Sequence, residues 1–147
     1  MPSFSHLHVH TQFSLLDGAA SIKGLVHKAK ADNMKAVAIT DHGNMFGVFK
    51  FVREAHKEGI LPVVGCEFYV CRDHLDKSQK DNGNQQVFLA KNKNGYHNLA
   101  KLSSHGFVNG FYYVPRIDKE LLLQHKEDLI ATTGNKYGEI PRLILNV

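Results

Sequence analysis

Short, continuous apolar runs separated by segments of helical period constrain this chain more than any other feature. Ala36-Val37-Ala38-Ile39-Thr40 and Leu61-Pro62-Val63-Val64-Gly65-Cys66-Glu67-Phe68-Tyr69-Val70 lack the polar alternation of a strand with one wet face. A strand covered on both faces reads this way. Between the two runs Val48, Val52 and Ala55 recur at helical spacing and stop at Gly59. Upstream, Ser21 caps a segment carrying Ile22, Leu25, Val26 and Ala29 at i, i+3, i+4 and i+7. Phe4 to His10 alternates and is expected to be the first strand. Further along, Arg72 to Gln86 is a polar loop, Val87-Phe88-Leu89-Ala90 a fourth strand and Tyr96 to Ser104 a helix carrying Leu99 and Leu102. Asp118 to His125 reads as a short helix and Leu129-Ile130-Ala131-Thr132 as a fifth strand. This alternation predicts an α/β fold with right-handed crossovers and a parallel sheet, either doubly wound or curled into a barrel.

At 147 residues the chain has room for one domain. No apolar run approaches the ~18 residues of a membrane span. Met1-Pro2-Ser3-Phe4-Ser5-His6 lacks the basic and apolar regions of a signal peptide, so a cytoplasmic protein is expected. The final run, Arg142-Leu143-Ile144-Leu145-Asn146-Val147, is apolar with no cap or polar tail, the pattern of a truncated chain. A half-built sheet exposes strand edges, so association or a stabilising partner is expected.

Ten histidines are the compositional anomaly. The net charge is +4, with Lys23, Lys28, Lys30, Lys35, Lys91, Lys93 and Lys101 read as a solvated surface or as an aid to nucleic-acid phosphate contact. The two cysteines, Cys66 and Cys71, lack C-x-x-C spacing and are expected to be free thiols.

On a strand His6, His8 and His10 share one face. An H-x-H pair lets two neutral imidazoles reach one metal, and the competing reading is two separately bonded core histidines. His6, at the strand entrance, reads as structural. Thr40-Asp41-His42-Gly43 sets a carboxylate and an imidazole where the second strand turns into a helix, at the carboxyl end where α/β ligands collect. Glu67, the one charge within the apolar third strand, Leu61 to Val70, requires a cation, either a lysine or arginine or a metal shared with the histidines. Asp17, before Gly18, is either a turn residue or a carboxylate folded back over the first strand. Mixed histidine and carboxylate ligands suit Zn, Mn or Fe. Such a cluster can activate water against a phosphate ester.

Leu7-His8-Val9-His10-Thr11, Phe13-Ser14-Leu15-Leu16-Asp17-Gly18 and Thr40-Asp41-His42-Gly43 together resemble the PHP (polymerase and histidinol phosphatase) family. Leu89-Ala90-Lys91-Asn92, Gly95-Tyr96-His97-Asn98-Leu99, Gly110-Phe111-Tyr112-Tyr113, Pro115-Arg116-Ile117-Asp118 and Gly138-Glu139-Ile140-Pro141 resemble its replicative DNA polymerase branch. The resemblance implies a distorted (β/α)7 barrel, of which residues 1–147 are the N-terminal part. It implies metal ligands at His8, His10, Asp17, His42 and Glu67, with Asp41 as an orienting residue. Where metal-competent members carry a His before the fourth strand and a Cys after the fifth, this chain has Gln85 and Asn135, poorer ligands. His74 is a possible substitute, and the family's last ligands would fall past Val147. The implied function is a structural platform with a degenerate metal site inside a DNA-directed DNA polymerase. Its partners would be the rest of the polymerase alpha subunit, other replicase subunits and DNA. The alternative is an active metal-dependent 3′–5′ exonuclease. A free-standing phosphatase fits the Pro115-Arg116-Ile117-Asp118 context poorly.

Overall fold

The computed structural model describes residues 4–145, so Asn146 and Val147 of the terminal apolar run lie outside the described residues. The elements run α1 (Ile22–Ala31), β1 (Ala36–Ile39), α2 (Val48–Glu58), β2 (Leu61–Cys71), β3 (Asn84–Ala90), α3 (Lys93–Val108), β4 (Arg116–Asp118), α4 (Lys119–Gln124), β5 (Leu129–Ala131) and α5 (Glu139–Leu145). The long apolar run becomes β2, which is the spine of the sheet. Its first half pairs with β1 in parallel, Ala36↔Leu61 through Ile39↔Val64. Its second half pairs with β3 antiparallel, Gly65↔Leu89 through Val70↔Asn84, and its end pairs with β4 in parallel. β5 lies outside β3, also antiparallel.

The sheet is therefore mixed rather than parallel throughout. β1 and β2 are joined through α2, the helical crossover that parallel pairing requires. β2 and β3 are joined by a loop, 72–83, that contains no helix, and the chain simply turns back.

The segment 4–10 forms no regular strand. It lies against β1 through Ala38 N–H to the His6 carbonyl (2.9 Å) and Thr40 N–H to the Val9 carbonyl (2.8 Å). Two residues of β1 thus match three of the N-terminal segment, an offset like a bulge, which breaks the pleat between His6 and His8. His6 is left exposed against Phe4, off the face that carries His8 and His10.

Two apolar clusters hold the layers together. Val26, Phe51 and Ala55 from α1 and α2 close over Val37 and Ile39 of β1. Leu99 and Leu102 of α3 and Leu121 of α4 close over Phe68, Phe88 and Ile117. Full burial of side chains such as Phe51 and Leu99 contributes roughly 2–3 kcal/mol each. Cys66 and Cys71 are buried free thiols. By contrast, α5 buries none of its residues, and Leu143 and Ile144 are more than 70% exposed.

Arg116, on β4, is fully buried. Its guanidinium donates to four backbone carbonyls: Gly110 (3.0 Å), Asp81 (3.1 Å), His74 (3.1 Å) and Asp76 (2.9 Å). It therefore clamps the loop 72–83 onto the β4 end of the sheet, a task for a planar fork of five donors. Arg116→Lys is expected to lower stability by about 2 kcal/mol and Arg116→Ala by about 3 kcal/mol or more, because buried carbonyls lose their donors. Urea melts of the two variants check this, and Arg116→Lys melting like the wild type would contradict it.

Candidate metal centre

The β1–β2 register continues past the end of β1. After a short interruption, His42 pairs with Glu67 at the same offset as Ile39 with Val64. Glu67 N–H donates to the Asp41 carbonyl (3.1 Å), and Gly43 N–H to the Glu67 carbonyl (2.8 Å). This pairing sets His42 beside Glu67, and the N-terminal segment supplies the rest. Among the sequence-predicted residues, His8, His10 and His42 converge on one Glu67 oxygen, and Asp17 joins them through His10 and His42.

Glu67 is completely buried, and its Oε2 lies 2.8 Å from His8 Nε2, 2.9 Å from His10 Nε2 and 3.7 Å from His42 Nδ1. The two Nε2 atoms are 3.2 Å apart. Asp17, more than half exposed, reaches His42 Nε2 at 3.1 Å and His10 Nδ1 at 3.7 Å. Donor atoms of His8, His10 and Glu67, and of His10, Asp17 and His42, form two overlapping groups, each within 4.8 Å.

Asp41 orients this cluster from behind. Its buried carboxylate accepts from Thr11 N–H (2.6 Å), Thr11 Oγ1 (2.8 Å) and Ser14 Oγ (2.8 Å). Ser14 has one proton, which it gives to Asp41, so its oxygen must accept from its other neighbours. These are His42 N–H (3.1 Å) and His10 Nδ1 (2.9 Å). His10 therefore donates from Nδ1 to Ser14, and its Nε2 faces Glu67, where it takes up either a second proton or a cation. Likewise, a proton on His42 Nε2 facing Asp17 leaves Nδ1, a buried atom with no hydrogen-bond partner, aimed at the cluster.

Three electron-rich atoms within about 3 Å of one another repel unless a proton or a cation sits among them. Their separations fall a few tenths of an ångström short of the ~3.3 Å edge expected for tetrahedral ligands ~2.05 Å from zinc. The donor set therefore fits a divalent transition metal held by His8, His10 and Glu67, with His42 and Asp17 alongside. Bound there, such an ion would act as a Lewis acid toward a phosphoryl oxygen or a water.

Without metal, protons do the same work. Burial pushes the Glu67 carboxyl up, but hydrogen bonds from His10 and His8 outweigh it and hold the pKa down at about 2. The bond to Glu67 raises His10 above 6.5, while burial lowers His42 below it.

The other oxygen of Glu67 is committed elsewhere. Asn135 Nδ2 donates to Glu67 Oε1 (2.9 Å) and to Gln85 Oε1 (2.9 Å), and Asn135 Oδ1 accepts from Tyr137 N–H (2.7 Å). Gln85 and Asn135 thus meet at the cluster, as their positions implied, but as an amide network that occupies its own acceptors. His74 is not at the site: its Nδ1 bonds Asp118 Oδ2 (2.5 Å) at the end of β4.

Sequence reasoning assigned no role to Thr11, Ser14 or Asn44. Asn44 ties the Phe13 carbonyl (2.9 Å) to the His42 carbonyl (3.0 Å) and so staples the two halves of the site. Gly18 lets the chain turn back, since a Cβ there would sit 2.1 Å from the Thr11 carbonyl oxygen. The i, i+4 spacing of His10 and Ser14 was the available signal.

The family model of the PHP domain matches residues 6–147. The chain belongs to the PHP-domain family. Relatives named DNA polymerase III subunit alpha are 51% identical in Borreliella burgdorferi and 47% identical in Treponema pallidum, each over 97% of this chain, and 45% identical in Helicobacter pylori over 94%. This PHP chain spans only about an eighth of the length of those relatives, 12–13%. Two solved structures share the fold. A protein assigned as a metal-dependent phosphoesterase from Bifidobacterium adolescentis matches with TM-score 0.51 and 20% identity, over 71% of this chain and 34% of its own. An amidohydrolase from Chromobacterium violaceum, solved with sulfate and no metal, matches with TM-score 0.51 and 24% identity, over 69% and 32%. The chain is thus an α/β PHP fold, and no helix among its described residues is long and apolar enough to cross a membrane.

In metal-free protein, NMR titration of the imidazole protons is expected to give His10 a pKa above 6.5 and His42 one below it. The raised His10 value stabilises the fold below pH 6.5, and that contribution is lost as pH rises through the folded pKa. The depressed Glu67 value stabilises above pH 4.5 and is lost as pH falls toward 2. The reverse order of the two histidines would contradict the proton placement.

Proposed function

We propose that residues 1–147 are the N-terminal part of a PHP domain in a replicative DNA polymerase alpha subunit, serving there as a structural platform with a degenerate metal site. The observation that carries the platform reading is the Asn135 amide, which bonds both Glu67 Oε1 and Gln85 Oε1. Bridging two ions through both oxygens would set a metal on Oε1 beside or in place of the Asn135 amide, and only Oε2 faces the histidines. With His10 Nδ1 committed to Ser14, the fuller donor set is the one at Oε2, and the second group keeps only Asp17 and His42. Two-metal hydrolysis, with ions ~3.5–4 Å apart clamping attacking and leaving oxygens, would have a second seat one ligand short.

The polymerase assignment draws support from the 45–51% identity to DNA polymerase III alpha subunits. It makes the cytoplasm the place of action, and the rest of the alpha subunit, other replicase subunits and DNA the partners. Zn, Mn or Fe is the cation class suited to the His/Glu donors.

The second reading, a metal-dependent 3′–5′ exonuclease, is favoured by the convergence of His8, His10 and His42 on Glu67 Oε2. A single ion there would still polarise a phosphate ester.

The test is made on the full-length polymerase chain that carries this domain, with 3′-labelled DNA and added Zn or Mn. The platform reading expects no 3′ shortening above that of His8→Ala/His10→Ala, with primer extension intact in both proteins. Chelator-sensitive 3′ shortening that disappears in the double variant would establish the exonuclease instead.

A further inference from the structure

Among the described residues Lys28, Lys30, Lys57 and Lys119 pair with carboxylates, and the other lysines do not. Lys28 pairs with Asp32 (2.6 Å), Lys30 with Glu58 (2.8 Å) and Lys119 with Glu139 (2.5 Å). Lys93 and Lys101, both on α3, take part in no ion pair among the described residues, and both are exposed.

They are not isolated. Lys93, His97, Lys101 and His105 follow one another at i+4 intervals, so they form a single stripe about 18 Å long on one side of α3. The opposite side, carrying Leu99, Leu102 and Gly106, is buried against the sheet. No aspartate or glutamate occurs from Asn82 to Ile117, so α3 has no acidic residue to neutralise the stripe. At its last turn His125, just past α4, stacks on His105 with ring centroids 5.9 Å apart. His125 is held below its usual pKa by burial first, then by the field of Lys101, so it lies within reach of that lysine. At the other end Asp128 bounds the stripe, its carboxylate held by Asn94 Nδ2 (2.9 Å). Along the stripe Ala100 and Ser104 lie between the longer side chains, and with His97, Lys101 and His105 they line an open depression of about 480 Å³.

A helix that begins with a lysine sets that charge against its own dipole, and Lys93 and Lys101 lie on one side with no acidic residue of α3 beside them. An extended polyanion matches that arrangement. We infer that the outer face of α3 is a contact surface for the phosphate backbone of nucleic acid, with Lys93 and Lys101 as the main contacts and His97, His105 and His125 beside them. The surface lies outside the histidine–carboxylate cluster and shares no residue with it. The preference for nucleic acid over other polyanions rests on the polymerase reading; the anionic chemistry of the ligand does not. Such contacts position without reading sequence, so binding is sequence-independent and governed by counterion release.

The experiment uses the full-length polymerase chain, cross-linked with formaldehyde to a random-sequence primed DNA and digested for peptide mass spectrometry. Adducts on Lys93 and Lys101 are expected, and their absence from a polymerase that cross-links DNA elsewhere would overturn the inference. In parallel, the Lys93→Glu/Lys101→Glu variant is titrated with the same DNA across salt concentrations. Affinity is expected to fall about tenfold at low salt, and the log–log salt slope to flatten by about two. An unchanged slope would overturn the inference independently of any folding defect, provided the variant still extends primers. Polyglutamate displacing DNA as well as heparin does would reassign the face to an acidic protein segment. A parent chain that extends no primer at all would refute the polymerase reading while leaving the cross-link result to judge the surface.

Discussion

Everything at the carboxyl end of this sheet depends on Glu67, a fully buried carboxylate that two sets of partners divide between them. One oxygen faces His8 and His10, and the other accepts from the Asn135 amide. A buried carboxylate costs several kcal/mol unless its charge is matched, so the surrounding structure is shaped by that requirement. The β1–β2 register carries His42 to it, the N-terminal segment carries the histidine pair to it, and Asp41, acting through Ser14, turns His10 Nε2 onto it. The cluster is therefore part of the fold's own electrostatic balance, whether protons or a cation complete it.

This dual role lets the same carboxylate serve the fold and offer one oxygen to a candidate metal position. The amides of Asn135 and Gln85 fill the side of the cluster opposite the histidines. Asn135 and Gln85 satisfy one another and one Glu67 oxygen, which closes one half of the site and leaves the other intact. In the proposed platform role such a network would supply rigidity without an ion. The proposed contact face on α3 shares no residue with the cluster.

Much of this was legible in the sequence, where local patterns are strong. The apolar runs at Ala36–Thr40 and Leu61–Val70, the Ser21 cap and the stop at Gly59 all correspond to elements of the fold. The five ligand candidates meet, as their placement at strand ends and the family resemblance implied. What failed were features set by partners distant in sequence. The parallel expectation missed the return of β3, because strand direction depends on how the loop 72–83 turns and not on strand composition. The regular first strand was lost to a mismatch of register against β1, which also separated His6 from His8 and His10. β4 is only three residues long and left no periodic signal, and the burial of Arg116 within it has no local cue, because its four acceptors come from elsewhere in the chain. Ser14 had only its i, i+4 spacing from His10 as a local cue, because its contacts with Asp41 and His42 come from residues distant in sequence.

The sharing of Glu67 is tested most directly by counting ions. Full-length protein purified without chelator and dialysed against limiting zinc would be measured by elemental mass spectrometry, beside His8→Ala/His10→Ala and Asn135→Cys/Gln85→His. At most one zinc per PHP domain is expected in the wild type, none at this site in the histidine variant, and a gain in the variant that restores ligands to the amide half. Two ions per wild-type domain, both lost with His8 and His10, would show that the amides do not close that half, and would contradict the division of Glu67 between its partners.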